Sequence, residues 1–329
     1  MSFRVTLQPS GNAFDVPDGS DILAEGLNAG LNLPYSCRAG TCRSCRGRVV
    51  SGSVAYENAS AINLDEAARN AGFALLCRAR PQSDLVIEVS ELSLDAVPPK
   101  LMPARVKRIE RPAPGVVVLG LRLPMNANFR FAAGQFVDIQ LPDGKTRSYS
   151  IANAPSDDGV VDIELHIRQL PGGRFSEAAL SSMKEGDLLR LRAPLGTFYL
   201  REKSEKPIIL VASGTGYAPM QSIISYAQAQ GLRRPMKLYW GNRMPSDFYA
   251  QPPAGVDYIP VVSDTAWEGR SGFVHQAVME DHPDLSSFQV YACGAPAMVD
   301  AARRDFVTLC GLPEDEFFAD SFVTKDDTL

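Results

Sequence analysis

Three cysteines crowd into the nine residues Cys37-Arg38-Ala39-Gly40-Thr41-Cys42-Arg43-Ser44-Cys45, and a fourth, Cys77, follows after 31 more. No other stretch limits the possible folds as sharply. A C-x4-C-x2-C run completed by a distant cysteine is the ligand spacing of a [2Fe–2S] cluster, three thiolates coming from one tight loop and one from another segment. Gly40 suits such a loop, because glycine accepts positive φ and lets the backbone approach inorganic sulfur. A structural zinc site is the plainer alternative. Zinc usually takes two short cysteine pairs, and the second half here offers only Cys77. Four unrelated buried thiols would not crowd in this way. Cys293 and Cys310 are left over, which is no disulfide framework, so a reducing cytoplasm is expected.

At 329 residues the chain is long enough for two or three domains, each with its own core. A net charge of −5 argues against a nucleic-acid role. The start, Met1-Ser2-Phe3-Arg4, lacks the apolar region of a signal peptide. Apolar runs such as Ile208-Ile209-Leu210-Val211-Ala212 are too short to span a bilayer.

Residues 1–93 read as one unit. Phe3–Leu7 alternates as a strand and Ala13–Val16 returns after a Pro9–Asn12 turn, a hairpin signal. Ser20 is placed to cap a helix from Asp21 to about Ala29, which Gly30 stops. The cysteine loop follows, then a strand at 47–50, a polar helix at 63–70, the Leu75-Leu76-Cys77 segment and a closing strand at 85–89. This order resembles the ferredoxin-type β-grasp domain, an α+β fold. Of eight basic residues in the unit, six lie within three positions of a ligand cysteine: Arg38, Arg43, Arg46, Arg48, Arg78 and Arg80. Such a collar would attract an acidic partner surface. Solvated arginines with no partner are the plainer reading. Arg43 stands where that family often has glycine or a small residue.

Residues 94–103, with three prolines and no periodicity, read as a stiff linker. From 104 to about 200 the pattern is β, in short strands between Pro/Gly turns, and suits a small antiparallel barrel. Within it, Arg147-Ser148-Tyr149-Ser150 sets an arginine able to pair with phosphate beside a tyrosine pointing the same way along the strand. Pro171-Gly172-Gly173-Arg174-Phe175-Ser176-Glu177 leads glycines into a helix whose first N–H groups suit a pyrophosphate. Singly, these segments also fit an ordinary strand and an ordinary N-cap. Together and in this order they resemble the FAD domain of the ferredoxin–NADP reductase superfamily. That resemblance implies that Tyr149 lies on the isoalloxazine and that Ser150 bonds a ring nitrogen. It also implies that Gly173, Arg174, Phe175 and Ser176 meet the FAD phosphates, with His166 and Arg168 flanking a phosphate position. A strand histidine on the solvent face is the other reading of His166.

Beyond the charged connection Arg201–Lys206 the pattern becomes α/β, the parallel-sheet pattern of a nucleotide domain over 201–329. Ser213-Gly214-Thr215-Gly216-Tyr217-Ala218-Pro219 opens a helix after the first strand. It lacks the third glycine of the dinucleotide fingerprint, Pro219 standing in its place. Cys293-Gly294-Ala295-Pro296 ends a later strand, where an open parallel sheet binds ligands. In the superfamily these two motifs form the nicotinamide site, which implies that Cys293 lies near the hydride-donating ring. Cys310 reads as structural. Arg243 could take a ribose 2′-phosphate and Asp247 a free 2′-hydroxyl. The multidomain reductases that the chain resembles mostly use NADH, so NADH is expected and NADPH stays open. The same resemblance implies an aromatic ring of the tail, Phe322, against the flavin.

A [2Fe–2S] ferredoxin unit followed by FAD and NAD units is the layout of reductases serving benzoate dioxygenase, phenol hydroxylase and soluble methane monooxygenase. Within that set the chain resembles the CDP-6-deoxy-Δ3,4-glucoseen reductases over essentially its whole length, through Arg147–Pro155 and Gly272–Val278 to Val290–Gly294. That resemblance implies electron transfer from NADH through FAD and the cluster to an iron–sulfur, pyridoxamine-phosphate dehydratase of 3,6-dideoxyhexose synthesis. Tyr149, Ser150 and Cys293 would line the reacting centre. An oxygenase component is the alternative acceptor, and a non-enzymatic metal-binding module the least favoured reading.

Overall fold

A computed structural model describes residues 1–91, 98–170 and 172–322, without the side chains of Arg174 and Leu180. Its contacts divide the chain into two units. One comprises Met1–Ala96 with Ala319–Leu329, the other Val97–Phe318. The flavin and nicotinamide stretches thus share one unit, and the last residues of the stretch read as the nicotinamide domain group with the first unit.

In the first unit five strands run in the order Ala13–Pro17, Ser2–Gln8, Leu85–Glu88, Arg46–Ser51, Phe73–Leu75. Ser2–Gln8 pairs in parallel with Leu85–Glu88, and the other pairs are antiparallel. The helix Ile22–Asn28 buries Ile22 and Leu23. Its N-cap is Asp21, not Ser20, and makes no side-chain capping bond. The reason is local: the N–H groups of Ile22 and Leu23 already donate to the carbonyls of Ala79 and Leu76, at 3.0 and 2.9 Å. These helix-end donors therefore hold the segment that carries Cys77. The second helix is shorter than its polar pattern suggests, Glu66–Asn70, because Asp65 caps it by accepting from the Ala68 N–H at 2.7 Å.

The second unit contains two sheets. Six antiparallel strands run in the order Thr146–Ser150, Phe136–Gln140, Leu188–Leu195, Lys100–Ala113, Val116–Arg122, Asp162–Arg168. An antiparallel bridge between Ile151 and Leu165 joins the two ends into a barrel. Leu119, Val137, Ile139, Leu165, Ile167 and Leu191 fill it. The long strand takes in Lys100–Pro103, which the proline pattern assigns to the linker. Pairing with 188–195 captures this stretch, where Pro103 faces Arg190. The rest of the linker that lies at 94–97 is outside the described residues, as is Pro171.

The other sheet has the order Arg270–Ser271, Asp257–Val262, Met236–Asn242, Ile208–Ser213, Gln289–Gly294, Phe317–Ser321, of whose last strand Phe317 and Phe318 belong to this unit. The chain leaves the central strand Ile208–Ser213 first to one side and later to the other. This makes a topological switch point at that strand's carboxyl end. Val118 and Phe198 of the barrel side pack into one core with Tyr217, Trp240, Tyr291 and Cys293. Among the described residues no helix is long and apolar enough to cross a membrane.

Candidate functional site

The cysteine loop is held by donors aimed at sulfur. Cys37 Sγ accepts from the N–H groups of Ala39 and Cys42 and from the Thr41 hydroxyl, each at 3.4 Å. Hydrogen bonding with the Cys42 side chain is the main reason that the Cys37 thiol is lowered to about 5, against the upward push of burial. The four sulfurs come in two pairs, Cys37 with Cys42 and Cys45 with Cys77. Two pairs suit two irons, each held by two thiolates. Gly40 has φ +82, and a Cβ there would lie 2.9 Å from Ile62 Cδ1.

Arg38 and Arg43 also have positive φ, at 54° and 61°. This is why a glycine-like position draws attention at Arg43. The strain is offset by bonds that the sequence does not announce. Arg43 Nε donates to the Asn63 carbonyl at 2.9 Å and Nη2 to Asn63 Oδ1 at 3.1 Å, while Asn63 Nδ2 donates to the Thr41 carbonyl at 2.8 Å. Other collar members are also engaged within the unit. Arg46 lies 4.4 Å over the Phe73 ring, Arg48 pairs with Glu88, and Arg80 pairs with Glu57 and Asp21.

On the strand Thr146–Ser150, Arg147 and Tyr149 share one face. The Arg147 guanidinium donates to the carbonyl of Thr146 at 3.0 Å. Tyr149 is half-buried, tilted at 5.5 Å to Phe175, and burial pushes its hydroxyl upward. Ser148 faces the other way and donates to Asp138, its register partner. Ser150 is buried at the strand end. The helix Arg174–Ser181 starts at the N-cap Gly173. The Ser176 hydroxyl is used by the turn itself, donating to the Gly173 carbonyl at 3.0 Å and accepting from the Leu170 N–H at 3.1 Å. The Gly172 N–H donates to Glu177 at 2.8 Å.

His166 corrects one of its sequence readings, since it is not on the solvent face. It is buried, with Nδ1 2.9 Å from the Tyr249 hydroxyl and Nε2 3.0 Å from Glu164, stacked over Tyr217. Alternation along Asp162–Arg168 puts Glu164, His166 and Arg168 on one face, and Tyr217 in turn stacks on Trp240 at 4.1 Å. Arg168 Nε is buried without a partner, 3.5 Å from the position of a Cβ on Gly214. An orphaned guanidinium donor beside a glycine turn fits an anionic group of a nucleotide.

The His166 hydrogen bond is the main cause that holds the Glu164 carboxyl down at about 2, with burial opposing and Gln221 and Arg108 adding to it. A folded-state value below that of the unfolded chain stabilises the protein above the ordinary carboxylate range. That stability is lost as pH falls from about 4.5 toward about 2. Glu164→Gln therefore melts below the parent near neutrality, and the gap closes on acidification. Thermal unfolding followed by tryptophan fluorescence, to which Trp240 in this core contributes, checks it, and a gap independent of pH would refute it.

At the switch point the backbone carries the Gly214–Gly216 turn into the helix Tyr217–Ala229, and the Trp240 indole donates to the Gly214 carbonyl at 2.9 Å. A Cβ on Gly216 would lie 2.1 Å from the Cys293 carbonyl oxygen, so the two motifs meet backbone to backbone. Cys293 is 0% exposed, in the core with Tyr217 and Tyr291. Asp247 accepts from the Met244 N–H at 3.3 Å and so caps its own turn. Arg243 is 83% exposed, 4.0 Å from Asp264. In the tail, Phe317 and Phe318 both pack in the second unit, Phe317 6.3 Å from Phe306 and Phe318 4.8 Å from Tyr291, and Phe322 is 37% exposed. The Glu164, Tyr217 and Tyr249 partners of His166 escaped the sequence reading. Only the two-residue alternation of Glu164, His166 and Arg168 could have pointed to them.

Three family models match the chain in order: a 2Fe-2S iron-sulfur cluster binding domain over residues 5–82, an oxidoreductase FAD-binding domain over 103–199 and an oxidoreductase NAD-binding domain over 210–304. The chain is 39% identical to the CDP-6-deoxy-L-threo-D-glycero-4-hexulose-3-dehydrase reductase of Yersinia pseudotuberculosis, covering 98% of this chain and 99% of that protein. It is 34% identical to terephthalate 1,2-dioxygenase reductase component 2 of a Comamonas species, with 98% of each covered. Among solved structures, the Amycolatopsis cytochrome P450 reductase GcoB superposes with a TM-score of 0.77 at 30% identity, over 98% of this chain and 99% of that one.

Proposed function

The chain belongs to the ferredoxin–NADP reductase superfamily, in the branch with an N-terminal [2Fe–2S] domain, and we propose on that premise that it delivers electrons from NADH to the dehydratase of 3,6-dideoxyhexose synthesis. It is an NAD(P)H-dependent oxidoreductase carrying a [2Fe–2S] cluster, FAD and an NADH site. The chemistry supplied by bound FAD is the conversion of a two-electron hydride into single electrons, which the cluster requires. The observation that carries the choice of acceptor is the end-to-end likeness to a hexulose dehydrase reductase. The acceptor on this reading is an iron–sulfur, pyridoxamine-phosphate enzyme that holds the CDP-sugar itself. A second reading, an oxygenase component as acceptor, is favoured by the 34% identity to a dioxygenase reductase over the same span.

In this reading Cys37, Cys42, Cys45 and Cys77 hold the cluster. Arg147, Tyr149, Ser150 and Arg168 meet FAD, with Gly173, Arg174 and Phe175 at its phosphates. Gly214, Thr215, Gly216, Arg243, Cys293 and Gly294 shape the NADH site. Ser148 and Ser176, whose hydroxyls are used within the fold, contribute through the backbone, and Asp247 by holding the turn that presents Arg243. Phe322 remains the tail ring for the flavin. The collar Arg38, Arg43, Arg46, Arg48, Arg78 and Arg80 is the surface proposed to meet an acidic acceptor.

An anaerobic assay with the holoprotein, NADH, the dehydratase and its CDP-4-keto-6-deoxyhexose tests the reading. One 3-deoxy sugar is expected per NADH, with the rate falling steeply as salt rises while ferricyanide reduction changes little. NADH oxidation without sugar product would give the acceptor's place to an oxygenase component. A flat salt response would remove the collar's docking role.

A further inference from the structure

The cysteine loop is gripped at two points by the far end of the chain. Ser36, which precedes the ligand Cys37, donates to Asp320, and both are buried, at 3% and 6% exposure. Ser44, between the ligands Cys42 and Cys45, donates to the carbonyl of Ala319 at 3.1 Å. The same Ser44 hydroxyl lies within hydrogen-bonding reach of the Cys42 sulfur. These residues belong to one unit with the cysteine loop, although 275 or more positions separate them in sequence.

We propose that Ala319–Asp320 is a positioning and tuning element of the [2Fe–2S] centre. The inference rests on the assignment of the cluster to the four cysteines. Reduction adds one electron, and so one negative charge, to the cluster. A buried carboxylate bonded to the residue beside Cys37 opposes that charge in a medium where it is poorly screened. Hydrogen bonds to cluster sulfur act the other way, favouring the reduced state. Ser44 has a single proton to share between the Cys42 sulfur and the Ala319 carbonyl. The tail therefore acts twice on the potential. It supplies charge through Asp320, and it competes through Ala319 for the donor of Cys42. It also restrains the loop mechanically.

The test uses the intact holoprotein and three variants, Asp320→Asn, Asp320→Ala and Ser44→Ala, with FAD content as the check on folding. Spectroelectrochemical titration and electron paramagnetic resonance of the cluster give the readouts. Both Asp320 variants are expected to raise the cluster potential, and Ser44→Ala to lower it. Asp320→Ala, which also releases Ser36, loses its cluster to a chelator on the order of tenfold faster, the scale of one charge-assisted hydrogen bond. Asp320→Asn, which keeps the shape, bleaches more slowly than Asp320→Ala. A merely structural role would move the potential in one direction in all three variants, and that result overturns the proposal. So do parental potentials throughout. A parent protein with flavin but no [2Fe–2S] spectrum would instead overturn the cluster assignment, and the inference with it.

Discussion

Replacing Cys42 with serine abolishes electron delivery to a protein acceptor while NADH-driven reduction of ferricyanide continues. Cys42 is buried, paired with Cys37, and its N–H also donates to Cys37 Sγ at 3.4 Å. A serine oxygen there is shorter and harder than a thiolate and is poorly matched to iron–sulfide chemistry. Changes in the shell around metal ligands typically cost roughly ten- to a hundredfold, and loss of a ligand costs more, so acceptor reduction falls by more than about a hundredfold. Phe322 apart, the elements proposed to bind FAD and NADH lie in the other unit, Val97–Phe318, with its own cores around Ile139 and around Trp240. Their turnover with a small oxidant therefore survives. The experiment compares acceptor and ferricyanide rates in one preparation, with the visible spectrum reporting cluster and flavin. Loss of both rates with flavin retained would show that the two units do not work separately.

What was legible in the chain follows from range. The cysteine loop is local: spacing alone points to the four cysteines proposed as ligands, and the fold brings Cys37 beside Cys42 and Cys45 beside Cys77. The strands on either side of the Gly214–Gly216 turn were legible because buried parallel strands read as continuous apolar runs. Three features were not legible, each for a stated cause. Arg43 could be seen to occupy a glycine-like position, but its compensation comes from Asn63, 20 residues on. His166 had two open readings, and neither foresaw burial against Tyr249, 83 positions away. The tail's sequence points to its aromatic rings, whereas it meets the cysteine loop through Asp320 and a backbone carbonyl. Prolines mislead at 100–103, since the strand there pairs only with 188–195 and its second neighbour joins from Arg105, so Pro103, which lacks a donor, is accommodated.

Gly216→Ala weakens NADH-dependent turnover with every acceptor while leaving flavin and cluster in place. The added Cβ would stand 2.1 Å from the carbonyl oxygen of Cys293, 2.5 Å from its carbon and 2.9 Å from Gly294 Cα. All three are backbone atoms, so no side-chain rotation makes room. Nor can the partner segment retreat cheaply. Gly294 has φ +135, and a Cβ there would meet Ser213 Oγ at 2.2 Å, while the Ala295 N–H donates to that hydroxyl at 2.9 Å. The strands that deliver these turns are adjacent, paired in parallel from Ile208–Gln289 to Ala212–Cys293 at the centre of the sheet. Overpacking between fixed segments costs about 1–3 kcal/mol even where side chains can yield, and here the relief must come from separating the two turns proposed to shape the nicotinamide site. The loss should therefore appear as a raised KM for NADH together with a lowered Tm. Gly231→Ala is the control. Its φ is +65 but a Cβ there meets nothing within 4 Å, so it carries only the left-handed backbone cost of about 1–2 kcal/mol and leaves the NADH KM alone. Parental NADH kinetics in Gly216→Ala would mean that the turn and Cys293 can part without consequence, and that the hydride site lies elsewhere on the sheet.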